Sequence, residues 1–188
     1  MDPNIILPFG GVVAFSGGTE DNVALVRATG LVTVDERGAS FRHELARIAV
    51  DEAISPARRR SLHRRILTAL AARPPGELDH AQLAHHAEEA ADATAVQQFA
   101  PAAARRAAAA ASYREAAAQY ARALRFGDGL TSGERAALLE GRSRACYLAD
   151  DQVEAIAVIS EAVECRKAEQ APAHQARALA ELSSYLLC

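Results

Sequence analysis

The residues able to do chemistry in this 188-residue chain are few, and each falls short of a recognisable centre. His43-Glu44 opens a His-Glu-x-x-Arg run, and Arg47 stands where a zinc-binding helix would place its second imidazole. No two-histidine face forms there. His80, His85, His86, Glu88, Glu89 and Asp92 make a denser group in which His85 and Glu89, four residues apart, share one helical face. No motif places a third ligand, so the group reads as solvated helix surface. Gly17-Gly18-Thr19 can turn backbone amides toward an anion, but it lacks both a lysine and the glycine spacing of a dinucleotide fold. There is no Gly-x-Ser-x-Gly elbow, and Cys146, Cys165 and Cys188 have no evident histidine partner. Three cysteines without a Cys-x-x-Cys pair indicate neither a disulfide framework nor a zinc knuckle. The sequence therefore assigns no catalytic residue, no metal and no cofactor.

Charge narrows the classes further. Of the 21 basic residues all but Lys167 are arginine, and no Gly-Lys pair exists, which excludes the usual phosphate-cradling P-loop. The run Arg58 to Arg65 holds five arginines and one histidine. In it Arg58, Arg60 and Arg64 are candidates for contact with phosphate or with an acidic partner. Asp51 and Glu52 just before it, with Asp35, Glu36 and Glu44 nearby, supply that partner within the same protein, and this pairing is favoured over DNA. A net charge of -3 and a pI near 6.1 give the whole molecule no field that gathers nucleic acid or anionic membrane.

The elements that would carry these residues are mostly helices. Alanine fills 45 positions and aromatics only 5%, a composition that favours helices with close backbone approach. Ser55-Pro56 is an N-cap with proline at the first helical position. Asp79 with Gln82, Ser112 with Glu115, Thr131 with Glu134 and Asp151 with Glu154 have capping-box spacing. Breakers at Pro74-Pro75-Gly76, Gly127-Asp128-Gly129 and Ala171-Pro172 fall between periodic segments. Before these, Leu31-Val32-Thr33-Val34 and Ala39-Ser40-Phe41-Arg42 flank Gly38 and predict a β-hairpin, with helices expected over 19–29, 43–54 and 56–73. Leu62, Ile66 and Leu70 make one buried stripe in the last of these, with Arg60 and Arg64 pointing away.

The apolar run from Ile5 to Phe15 lacks the features of a leader: Asp2 and Pro3 occupy its basic end, and Pro8, Gly10 and Gly11 interrupt it. No stretch approaches the length of a membrane span. A cytoplasmic protein is expected.

An internal repeat organises the second half. Ala116, Tyr120, Ala123 and Leu124 recur 39 residues later as Ala155, Ile159, Ala162 and Val163, while Ala104 and Ala107 recur as Ser143 and Cys146. Small side chains at such positions let antiparallel helices cross closely. The pattern resembles the tetratricopeptide repeat, stretched by the Gly127-Asp128-Gly129 linker, which implies helix pairs stacked as a right-handed superhelix. In that register Arg105, Glu140 and Arg144 project toward the concave side as candidate partner-binding residues. The helix from Pro172 carries Leu179, Leu182, Leu186 and Leu187 with no following helix to cover them, so a homodimer through this end is expected.

Three strings carry a wider resemblance: Ala24-Leu25-Val26-Arg27-Ala28-Thr29-Gly30-Leu31, Phe41-Arg42-His43-Glu44-Leu45-Ala46-Arg47, and Ser55-Pro56-Ala57-Arg58-Arg59-Arg60-Ser61-Leu62-His63-Arg64-Arg65. Ala81-Gln82-Leu83-Ala84-His85-His86 and Tyr113-Arg114-Glu115-Ala116-Ala117 continue it. Together they are similar to the segment after the ATPase core in large LuxR-type transcriptional regulators of the signal-transduction ATPase class, over about 21–170. The resemblance implies a winged-helix-like remnant at 19–75 and tetratricopeptide-like helices at 79–188, with 1–18 not matching. It also implies a non-catalytic module that relays a signal or binds a protein partner, among them the missing domains of a parent regulator. Neither the family's nucleotide-binding core nor its DNA-binding helix-turn-helix occurs in the sequence, so an excised piece or a small free-standing relative is expected. The competing expectation is a free-standing winged-helix DNA binder using the Arg58–Arg65 patch.

Overall fold

The computed structural model describes the backbone of 6–9, 12–15, 32–35 and 38–41, then residues 42, 43, 45, 48 and 54–187. The described residues are mainly helical, and their helices pack on one another. They fall into two units, 1–73 with 89–91, and 74–88 with 92–188.

In the first unit β1 (Ile6–Phe9), β2 (Val12–Phe15), β3 (Val32–Asp35) and β4 (Gly38–Phe41) form one antiparallel sheet in the order β1-β2-β4-β3. Ile6 lies opposite Phe15, Val13 opposite Ala39, and Val32 opposite Phe41. The strands expected over 31–42 do not stand as a two-stranded wing: β4 pairs with β3 on one edge and with β2 on the other, within a sheet of four strands. A lone pair of strands is marginal in water, and here the free edge of β4 takes β2 from the segment that matched no pattern. The helices expected over 19–29 and 43–54 lie largely outside the described residues, as does Gly17-Gly18-Thr19.

Helix α1 (Pro56–Ala71) begins as the Ser-Pro pair dictates: Ser55 is extended, and its Oγ accepts from the Arg58 amide at 3.4 Å. Leu62 and Ile66 are buried together, with Ile54 and Leu70 packed against them. This is the four-residue stripe read from the sequence. Arg58, Arg60 and Arg64 are exposed.

The second unit opens with a short 3-10 turn (Pro75–Glu77), followed by α2 (His80–Glu89), α3 (Ala93–Ala109), α4 (Tyr113–Arg125), α5 (Ser132–Leu148), α6 (Gln152–Ala168) and α7 (Pro172–Leu187). From α3 onward each helix packs on the next. Direction follows from the side-chain pairs. Arg135 and Glu140 early in α5 meet Glu161 and Arg166 late in α6, whereas Arg142 and Ser143 late in α5 meet Glu154 and Ala155 at the start of α6. The pair is antiparallel. Helices α5 and α7 run parallel, because Arg144 meets Glu181 at a separation of 37 residues and Arg177 lies 3.6 Å from Glu140.

One turn is used repeatedly. Ala91, Ala111, Asp150 and Gln170 adopt left-handed φ of 54°, 56°, 62° and 58°. The following amides, Asp92, Ser112, Asp151 and Ala171, donate back to the carbonyls of Ala87, Ala107, Cys146 and Arg166. This is the Schellman closure of a helix C-terminus. Thr131 and Glu134 make a complete capping box, and Asp79, Asp92 and Asp151 cap with their carboxylates. Ser112 departs from the expectation. It stands at the N-cap without a side-chain bond, and Glu115 accepts instead from Gln119 Nε2 at 2.6 Å.

The interior shows why alanine is so abundant. Ala116, Ala123, Ala155 and Ala162 are all 0% exposed, and Leu139, Cys146, Val158, Ile159, Val163, Ala178 and Tyr185 close the core around the last three helices. Ser143 Oγ donates to the Ala155 carbonyl at 2.8 Å, a contact only a small side chain permits. At Gly141 a Cβ would stand 2.6 Å from the Tyr120 ring, so α4 and α5 approach closely there. On α7, Leu179, Leu186 and Leu187 are exposed, while Leu182 is partly buried against the core.

Left-handed backbone costs about 1–2 kcal/mol for a residue with a Cβ. Ala111→Gly and Gln170→Gly should each stabilise the protein, by up to about 1 kcal/mol after the added chain entropy of glycine is subtracted. Denaturant midpoints measure it, and a loss in both variants contradicts the turn geometry.

Candidate functional site

The three residues expected to face a partner do not form one surface. Arg105 is exposed near the end of α3. Arg144, on α5, donates to Glu181 of α7 at 3.2 Å while remaining 60% exposed. Glu140 corrects the expectation, because it is buried. Its two carboxylate oxygens accept from Arg166 Nε and Nη2 at 2.8 and 2.9 Å, a two-pronged pair that only arginine geometry allows. Arg166 also donates to Glu169 at 2.8 Å and to the Gly133 carbonyl at 3.3 Å. The bonds to Glu140, outweighing the cost of burial, hold its guanidinium in the charged form more firmly than usual. Glu140 thus ties α5 to α6, with Arg177 of α7 alongside.

No spacing in the sequence announces this pair; the structure buries Arg166 in α6. A cation in a buried position needs a carboxylate within reach, and Glu140 is on the facing helix.

A second cluster was missed as well. Glu88 of α2 accepts from Arg122 Nε at 2.7 Å and from Arg125, both on α4. Burial alone would raise the Glu88 carboxyl, but the two arginines outweigh it and hold it below its ordinary range. Of the group that reads as solvated surface in the sequence, His86 is buried and the others are half-buried. His86 is 1% exposed, and His85 meets it edge-on with ring centres 5.5 Å apart. Burial first, and the neighbouring His85 second, lower the His86 imidazole to about 4. Among the described residues no group of three or more histidine, cysteine or acidic side chains is arranged to hold a metal ion.

Two further features border the helices. Where α2 starts, α3 ends and α4 starts, a cleft of about 370 Å³ is lined by Asp79, His80, Arg106 and Glu115. Arg106 Nη1 donates to the Leu78 carbonyl there at 2.9 Å. On α5 and α7 the rings of Tyr147 and Tyr185 stack 4.2 Å apart, and the Tyr185 hydroxyl donates to Glu181 at 2.6 Å. Burial, reinforced by that carboxylate, raises the Tyr185 hydroxyl. The thiols of Cys146 and Cys165 are also raised, chiefly by burial, which leaves them poor nucleophiles at neutral pH. No described helix is long and apolar enough to cross a membrane.

Comparison of the chain with protein-family models, with curated proteins and with solved structures finds no significant match in any of the three.

Two outcomes follow from the buried charges. Glu140→Gln leaves Arg166 buried against a neutral amide and should cost about 3 kcal/mol in urea unfolding. A cost below about 1 kcal/mol would mean that Glu169 alone suffices. His86 is held neutral in the fold but gains a proton on unfolding. Its contribution is therefore constant above about pH 6.5 and lost as pH falls toward 4. Wild type should lose about 2 kcal/mol between pH 7.5 and 5 through this residue. His86→Gln should flatten that slope, and an unchanged slope would contradict the burial.

Proposed function

We propose that this chain is a non-catalytic regulatory module whose helix pairs, stacked in the manner of tetratricopeptide repeats as a right-handed superhelix, bind a protein or peptide partner in the cytoplasm. The observation that carries the reading is recurrence: the same Schellman turn closes four helices, and side-chain ties repeat at nearly constant separations along the second unit. Gln97 reaches Ala123 at 26 residues as Arg135 reaches Glu161, and Arg125 reaches Glu88 at 37 as Arg144 reaches Glu181. Stacks of this kind bury each hairpin against the next and leave their long faces for contact. The resemblance of 21–170 to the region after the ATPase of LuxR-type regulators supports the same role: relay between a partner or inducer and the regulatory machinery.

A second reading, DNA binding through Arg58, Arg60 and Arg64, is favoured by their shared exposure on α1. A polarisation titration with labelled duplex DNA at two salt concentrations separates the two. The interaction-module reading expects at most weak binding. Submicromolar affinity that falls steeply with salt and disappears in Arg58→Glu/Arg60→Glu/Arg64→Glu would overturn it in favour of DNA.

A further inference from the structure

We propose that the trough between α4 and the α5–α6 turn is a binding site for an extended peptide bearing a basic side chain. The proposal rests on the interaction-module reading and names the class of partner. The trough encloses about 690 Å³, a volume typical of ligand sites. A smaller cleft of about 350 Å³ adjoins it along the turn edge, sharing Arg114, Ala149 and Asp150. Sharing those residues, the two make one open channel.

Its floor is Ala117, Ala118 and Ala121 of α4 with Ala149 opposite. Methyl side chains allow a main chain to lie close to the helix surface. They fix nothing by themselves, and the polar groups above them do the selecting. Arg142 Nε is buried in the wall and has no hydrogen-bond partner. Its Nη2 is held by Glu154 Oε1 at 2.6 Å, which fixes the guanidinium at the wall, with 28% of the side chain still reaching solvent. A buried N–H without an acceptor is unfavourable, and a peptide carbonyl lying in the trough would supply that acceptor. Arg114, across the channel, has no side-chain partner among the described residues and offers a second donor to the same backbone.

Charge sets the side chain. Three carboxylates, Asp150, Asp151 and Glu154, face two guanidinium groups, Arg114 and Arg142, an excess of one negative charge. Asp151 Oδ1 is committed to the α6 N-cap, and Glu154 to Arg142. Asp150 remains: it sits at the left-handed position of the turn, is exposed, and its side chain pairs with nothing described. A lysine or arginine of the partner satisfies it. Neither Arg105 nor Arg144 lines the site.

The test uses the full chain and two peptide libraries, one with lysine or arginine fixed at the centre and one with glutamate there, read by fluorescence polarisation. The basic library should yield micromolar binders. Ala118→Arg, at an exposed floor position, fills the channel without entering the core, and Asp150→Asn keeps the turn because asparagine tolerates positive φ. Each should weaken those binders by roughly tenfold or more, while Arg105→Glu leaves them unchanged and melting curves show all three variants folded. Binders found only in the glutamate library, or affinities unmoved by Ala118→Arg, would overturn the trough. Binders insensitive to Ala118→Arg yet lost in Arg105→Glu would place the partner on another face, overturning this inference while leaving the interaction-module reading in place. Absence of any binder in the basic library would also overturn it.

Discussion

The constraint on which the second unit depends is the distance between helix backbones at the crossings, set by side chains no larger than a methyl or a hydroxyl. Ala116, Ala123, Ala155 and Ala162 are wholly buried, and Ser143 is close enough to its neighbour to bond the Ala155 carbonyl. Close approach brings the larger residues into register: Leu139, Val158, Ile159 and Tyr185 meet as one cluster because the alanines between them do not hold the helices apart. Protein interiors tolerate added volume poorly, so these positions define the spacing of the whole stack. With only 5% aromatics there is little bulk to fill a wider gap.

Polar ties are laid over this frame. Glu140 with Arg166, Glu88 with Arg122, and Arg135 with Glu161 each join one helix to another, and of the three only the first pair is buried. A buried pair contributes little net stability compared with a well-packed apolar substitute, but it tolerates only one alignment of its two helices. The Glu140–Arg166 pair therefore selects the register that the alanines permit. The exposed pairs add tenths of a kcal/mol at most and mainly keep the flanks soluble.

Much of this organisation was legible in the sequence, because its signals are local. The breakers at Pro75-Gly76, Gly127-Asp128-Gly129 and Pro172 mark where helices end, the Thr131–Glu134 box closes as its spacing demands, and the 39-residue echo falls on buried positions except at Ala107, Tyr120 and Leu124, which are half-buried. The misses are long-range. Glu140 was assigned to a surface because the repeat register gives the side of the helix but not the charge waiting on the next one. Ser112 makes no side-chain cap, whereas Asp92 and Asp151, at the same place after a left-handed residue, cap with their carboxylates; nothing in the spacing separates the three. The trough lined by Arg114, Arg142 and Asp150 draws on two helices and a turn, and no spacing in the chain announces it. In the first unit the strands β1 and β2 went unread, since Pro8 and paired glycines hide a short β pair from any periodicity.

Native-state hydrogen exchange is the most direct measure of the central claim, that small-residue crossings lock the helices into one stack. Amides around Ala116, Ala123, Ala155 and Ala162 should exchange slowest and share a single opening free energy near that of global unfolding. Exchange at those sites as fast as at the exposed end of α7 would contradict it.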